Sequence, residues 1–339
     1  MPAIEGPHAR VDDRRVGEAK ALMGVRKPTV VVTEALPSTP LAWLRQRANV
    51  IVTQSPETTQ QALTFAEGLV VRSYTQVDDA LLRRAPALKV VGRAGVGLDN
   101  VDLDACRKKG VRVVHTPQAN TNAVAEYVIG VILRHIRPLS PLAQGADAEN
   151  FAALRRDHLG RQLSELIVGV LGFGRIGQAV AKIIAAFGAQ IAVFDLRDEA
   201  VLRHECPLTF SYLSCAELLG NCDVISIHVD GREDNRGWFG GERLAQLRRG
   251  ALLINTSRGF VIDGEALAIH AQAHPHTHFV LDVHDPEPPL PDDPLGKLDN
   301  IVRYPHVAAR TESAQVAMGW VVQDVFAVLC GHPPHHPAV

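Results

Sequence analysis

A chain of 339 residues with 46% hydrophobic content is long enough for two domains with separate cores and too apolar to be disordered. Lysine and arginine number 35 against 37 aspartates and glutamates, so neither charge is in the excess that nucleic acid or an anionic membrane surface demands. Small-molecule chemistry becomes the expectation. The five cysteines (Cys106, Cys206, Cys215, Cys222, Cys330) contain no C-x-x-C pair, and their odd number does not suit a disulfide framework; they read as reduced thiols in the cytoplasm.

Residues 1–27 mix charges of both signs with glycine and proline and lack a continuous apolar stretch. They read as a loose N-terminal arm rather than a signal peptide or membrane anchor. From Thr29 short β-branched runs, "TVVVTE", "NVIVTQ", "GLVVR", "LKVVGRAG" and "VRVVHT", alternate with helical stretches such as "VDDALLRRAP" and "DLDACRKKG". Strand and helix in turn imply a parallel sheet covered on both faces. The long helical segment "TNAVAEYVIGVILRHIR" then leads into a polar loop or arm, residues 137–160. A second series follows: "LIVGVLG", "AQIAVFD", "DVISIHV", "ALLINTS", "HFVLDV" and "NIVRY". Residues 311–330 read as one amphipathic helix. The tail "GHPPHHPAV" reads as a disordered end, since its prolines hold the histidines apart and no metal site is expected there.

The second series carries the chemistry. "GVLGFGRIGQAVAKIIAAFG" places Gly172, Gly174 and Gly177 as G-x-G-x-x-G between an apolar strand and a helix that Arg175 and Ile176 open. The first glycine permits a tight turn, the second lets backbone approach a pyrophosphate, and the third lets helix pack on strand. The helix N-terminus offers unpaired N–H groups to the phosphates. Asp195 ends the next strand, where a carboxylate accepts from ribose hydroxyls and opposes a 2′-phosphate, favouring NAD over NADP. Arg197 follows two residues later and could accommodate that phosphate, but reads as an exposed loop arginine.

Ligands of doubly wound sheets bind beyond the carboxyl ends of the strands, where Arg258, Asp282, Glu287 and His306 stand. Singly, each has a bland reading as a solvated strand end or surface loop. Together, guanidinium, carboxylate and imidazole converge on the edge where a nicotinamide lies, which suits hydride transfer at a carbon bearing a hydroxyl beside a carboxylate.

"GRAGVGLDNVD", "NTNAVAEYVIGVIL", "GFGRIGQAVA", "LINTSRG", "LDVHDPEP" and "YPHVA" occur in an order and spacing that resembles the D-isomer-specific 2-hydroxyacid dehydrogenases, from about Pro28 to Cys330. The resemblance implies an α/β fold of two doubly wound parallel-sheet domains, a Rossmann NAD-binding domain inserted into a flavodoxin-like substrate domain. The substrate domain would comprise residues 28–119 and 309–339, and the NAD-binding domain residues 120–308. It further implies that Arg258 holds the substrate carboxylate and C2 oxygen, that His306 is the acid/base, and that Glu287 orients the imidazole and stabilises its protonated form. Val96 and Gly97 match the loop whose N–H groups bind the substrate carboxylate. Asp282 matches the aspartate near the carboxamide, and Val229, Thr256 and Ala309 match further cofactor contacts. A homodimer through the cofactor domain, with residues 137–160 as its arm, is the family expectation.

"HVDGREDNRGWFG" puts Asp230 and Gly231 where the family usually has a proline-containing stretch, so a more mobile or specialised cofactor loop is expected. Leu98 replaces a common aromatic. The motifs look most like 3-phosphoglycerate dehydrogenases, yet little chain follows the last helix to hold their frequent C-terminal regulatory domain. The alternative to an enzyme is an NAD-sensing interaction protein like the C-terminal-binding-protein corepressors, which share the fold.

Overall fold

All but one of the strands are three to five residues long and carry valine, isoleucine or leucine, and each expected run is found. The computed structural model describes residues 26–339 apart from Pro138, Ser140 and Ala146; nearly all of the expected N-terminal arm lies outside the described residues. The chain divides into two units, one of residues 1–92, 102–114 and 321–339, the other of residues 93–101 and 115–320.

The first unit is built on β1 (Thr29–Val32), β2 (Asn49–Val52), β3 (Gly68–Val71), β4 (Val90–Arg93) and β5 (Arg112–His115), ordered β2-β1-β3-β4-β5. This is the flavodoxin-like order. β1 and β3 are buried along their whole length, as their uninterrupted apolar runs require. The helix Val321–Leu329 lies on this sheet because two strand positions lack side chains. A Cβ on Gly92 would stand 2.3 Å from Val325 Cγ2, and one on Gly68 would stand 3.2 Å from Val325 Cγ1.

The tail departs from expectation. Asp324 is buried, and an ionised carboxylate in that setting requires donors. The backbone N–H groups of His335 and His336 donate to it at 2.7 and 3.1 Å, and His336 Nδ1 lies 3.0 Å from Oδ2. Val113 then donates to the Val339 carbonyl and accepts from Ala338 N–H. The histidine-proline run is therefore an anchored segment, not a disordered end.

The second unit carries β6 (Ile167–Leu171), β7 (Gln190–Phe194), β8 (Ser211–Tyr212), β9 (Val224–Ile227), β10 (Leu252–Asn255), β11 (His278–Leu281) and β12 (Ile301–Arg303). They form one parallel sheet, β12-β11-β10-β9-β6-β7-β8. The chain leaves β6 in one direction through β7 and β8, then returns to lay β9 on the other side, which opens a switch point beside β6. Alternate residues feed two cores. Val168, Val170, Leu252 and Ile254 meet the helices Thr121–Ile136 and Arg175–Ala186 on one face, and Leu171, Ile225, Leu253 and Phe279 meet Leu218, Leu244 and Leu267 on the other. Each such side chain contributes about 1.5–3 kcal/mol by leaving water.

Two elements differ from expectation. The polar segment 137–160 contains the helix Ala148–Asp157, capped by Asp147 and without a single buried residue. Residues 311–330 form two helices, Glu312–Gly319 and Val321–Leu329, because the Trp320 N–H closes a tighter turn onto Ala317.

Candidate active site

Every site residue singled out in the sequence falls in the second unit, since the loop 93–101 groups with the larger sheet. Gly172 follows β6 directly, and its φ of +86° is a left-handed conformation that glycine adopts without strain. A Cβ on Gly172 would stand 2.7 Å from the His228 carbonyl oxygen and 3.0 Å from Val229 N, so Val229 backs directly onto this turn. A Cβ on Gly177 would stand 2.2 Å from the Gly172 carbonyl oxygen, which is the close helix-to-strand approach.

Gly174 differs from both, because a Cβ there would meet no atom within 4 Å. It caps the helix Arg175–Ala186 without a side chain to satisfy the first N–H groups. Arg175 is exposed and Ile176 leans on the core. Open space before unfilled N–H groups fits a pyrophosphate. The Thr256 hydroxyl, buried and without a hydrogen bond, is a second group awaiting a ligand. These residues fit NAD.

Asp195 follows β7. It accepts from Phe173 N–H at 2.6 Å, Arg197 N–H at 2.9 Å and Arg197 Nε at 3.0 Å. Burial opposes its charge, but the Arg197 and Phe173 donors outweigh burial and hold the carboxyl below the usual range. Arg197 is not an exposed loop arginine: its remaining nitrogens reach Glu205 at 2.9 Å and the Phe173 carbonyl at 2.8 Å. The sequence hid this because Glu205 lies eight residues away on a helix.

Arg258 follows β10. Buried Asn255 shapes the turn, accepting from Ser257 N–H and Oγ and donating through Nδ2 to the Arg258 carbonyl. The guanidinium donates to the Ser257 carbonyl through Nη1 at 2.7 Å and to Asp99 Oδ2 through Nε at 2.8 Å, with Nη2 paired to the same oxygen at 2.7 Å. It lies against Gly97, where a Cβ would meet Nη2 at 1.9 Å. The Val96 carbonyl accepts from His115 Nδ1 at 3.0 Å, fixing the adjoining backbone. Sequence reasoning missed Asp99, although it stands inside the quoted "GVGLDN".

Glu287 and His306 meet directly, Oε1 to Nδ1, at 2.6 Å. Burial would raise the Glu287 pKa, but the His306 hydrogen bond and charge, then the charges of His284 and Arg258, hold it below the ordinary carboxylate range. His306 has φ +52°, the one left-handed non-glycine residue among those described, a conformation that costs energy and persists where surrounding bonds enforce it. Asp282 enforces it. Its two oxygens take the N–H groups of Val307 and Ala308, each at 2.9 Å. Burial pushes the Asp282 carboxyl up, only partly offset by those donors. Asp282 thus shapes the turn that presents the imidazole, while Ala309, next along, accepts from Gln315 Nε2.

The loop carrying Asp230 and Gly231 is tied down rather than loose. Asp230 accepts from Arg232 and Asn235, and Arg236 bridges Glu233 and Asp285.

The NAD binding domain model of the D-isomer specific 2-hydroxyacid dehydrogenases matches residues 129–308. Over 309 residues the chain is 36% identical to D-3-phosphoglycerate dehydrogenase of Mycobacterium leprae, covering 90% of this chain and 57% of that one. The chain spans about half the length of the first curated relatives it matches. It is 36% identical over 267 residues to hydroxypyruvate reductase of Thermotoga maritima, covering 77% of this chain and 84% of the relative. Among solved structures, D-lactate dehydrogenase from Aquifex aeolicus, complexed with NAD and lactic acid, superposes with a TM-score of 0.74 at 27% identity, covering 89% of this chain and 96% of that one. Nothing in these likenesses supports the corepressor alternative.

Proposed function

The chain belongs to the D-isomer specific 2-hydroxyacid dehydrogenases, and we propose that it interconverts a small D-2-hydroxy acid and its 2-oxo acid with NAD as hydride partner. The substrate is of the 3-phosphoglycerate, glyoxylate or hydroxypyruvate type. The observation that carries the reading is the Glu287–His306 bond of 2.6 Å within electrostatic reach of Arg258. These are the groups that hydride transfer next to a carboxylate requires.

Bound NAD accepts or gives the hydride at its nicotinamide. The protein's own residues do the rest. With Nδ1 held by Glu287, His306 has Nε2 left to take the hydroxyl proton in oxidation and to return it to the carbonyl oxygen in reduction. The Glu287 charge steadies the imidazolium that forms. Arg258, with the N–H groups of Val96 and Gly97, binds the acid and polarises its C2 oxygen. Gly172, Gly174, Arg175, Ile176 and Gly177 would cradle the dinucleotide, Asp195 would take the ribose hydroxyls, and Val229, Thr256, Asp282 and Ala309 would serve the nicotinamide end.

Residues 28–119 and 309–339 form the substrate domain and residues 120–308 the NAD-binding domain. The protein is a homodimer joined through the arm 137–160, a reading supported by the outward-facing Leu139, Leu142, Phe151 and Leu159 of that segment. Five free thiols support a reducing compartment, the cytoplasm. The test is NADH oxidation with pyruvate, glyoxylate, hydroxypyruvate and phosphohydroxypyruvate. At least one should turn over with a clear preference, and failure with all four in a protein that binds NADH sinks the reading.

A further inference from the structure

Resting on the reading of Arg258 as the grip for the substrate acid, we propose that Asp99 is a resident stand-in for the substrate carboxylate. It fills one edge of the guanidinium fork and is displaced when substrate binds, which makes it a determinant of affinity for the acid.

A guanidinium grips two oxygens at once through a pair of neighbouring N–H groups. Here Nε donates to Asp99 Oδ2 at 2.8 Å and Nη2 stands 2.7 Å from the same oxygen as an ion pair, while Nη1 donates to the Ser257 carbonyl. The side edge of the fork is therefore filled by a carboxylate belonging to the chain itself. That carboxylate also stands on the loop that receives the substrate: a Cβ on Gly97 would lie 2.6 Å from Asp99 Oδ2 and 1.9 Å from Arg258 Nη2. Two carboxylates crowded onto one guanidinium and one glycine repel each other, so the incoming acid competes with Asp99.

Gly231 makes the arrangement possible. A Cβ there would stand 2.0 Å from Asp99 Oδ1, so any other residue in the same backbone position would push the carboxylate off the guanidinium. The aspartate-glycine step at 230–231, which departs from the family's usual proline-containing stretch, thus leaves the space that Asp99 occupies.

The test is binding of oxamate, an unreactive isostere of a 2-oxo acid, to NADH-saturated protein by calorimetry, with KM for the best 2-oxo acid as a second readout. Asp99→Asn keeps the shape and removes the competing charge. The Asp99 and Arg258 side chains are 37% and 28% exposed, and for a pair this accessible the expected gain is about two- to fivefold tighter oxamate binding, with KM falling by a similar factor. Gly231→Ala, displacing Oδ1, should move both readouts the same way. A purely structural Asp99 predicts the opposite sign. Unchanged or weaker oxamate binding in an Asp99→Asn protein of wild-type melting temperature overturns the proposal. Arg258→Gln separates the two layers of argument. Loss of oxamate binding there upholds Arg258 as the grip, whereas wild-type binding overturns that reading and the stand-in together.

Discussion

Asp195, half-buried, and Glu287, exposed, are both carboxylates beyond the strands of one sheet, and both are held below the ordinary range by hydrogen bonds. Their donors differ in kind. Asp195 is held by two backbone N–H groups and a guanidinium, none of which loses its proton at working pH. Glu287 is held chiefly by the imidazole of His306, the group proposed to carry the proton in catalysis. On the proposed reading, similar carboxylates would serve as a fixed anion at the sugar end and as half of a proton-coupled pair at the reacting end.

Removing the His306 side chain should separate the two ends most sharply. His306→Ala is expected to lower kcat/KM by about 10²- to 10⁴-fold in both directions, the usual range for a lost general acid/base, while NAD affinity stays near wild type. Steady-state rates beside fluorescence titration of NADH measure both, and activity within tenfold of wild type would erase the distinction. Arg258→Lys keeps the charge and loses the planar fork. Losing a charge-assisted bond of about 1.5–3 kcal/mol predicts a roughly ten- to hundredfold fall in kcat/KM, again with NAD binding intact.

Glu287→Gln sharpens the contrast through pH. The amide keeps a hydrogen bond but no longer steadies the imidazolium, so reduction, which needs that proton, should fail at lower pH than in wild type. Oxidation, which needs its absence, should begin at lower pH. Profiles of kcat/KM in both directions, with chemistry rate-limiting, decide it, and limbs that stay in place would mean Glu287 does not act on the proton. Asp195→Ala should leave those limbs alone and act on cofactor choice. It removes the ribose acceptor and frees Arg197 for a 2′-phosphate, so the preference for NAD over NADP should narrow by about tenfold, the worth of one hydrogen bond to a charged group. A variant whose preference is unaltered would place the sugar elsewhere.

The legible parts of the molecule were those written in local periodicity. Eleven of the twelve strands stood out as apolar runs, and the missed β8 has only Ser211 and Tyr212 to announce it. The helix Ala148–Asp157 reads as a polar loop or arm because charged and polar residues flank and interrupt its few apolar ones, and it buries none of them. Arg258, Glu287 and His306 were found from strand ends and family spacing. Asp99 was not, because its partner lies 159 residues away and no short-range pattern links them. Asn255 escaped for the opposite reason: a strand-ending asparagine looks like ordinary turn chemistry until its contacts with Ser257 and Arg258 are traced.

The anchored histidine-proline segment has a consequence for how copies of this chain behave toward each other. β5 is the last strand of its sheet, and an open strand edge is a template for pairing with another molecule. Residues 337–339 lie along that edge and take both backbone groups of Val113. Pro333, Pro334 and Pro337 have no N–H to offer, so the covering segment cannot present a continuous donor row of its own. A chain cut before Gly331 would bare the edge and, in the same stroke, strip the buried Asp324 of its donors, coupling self-association to loss of stability in a single lesion.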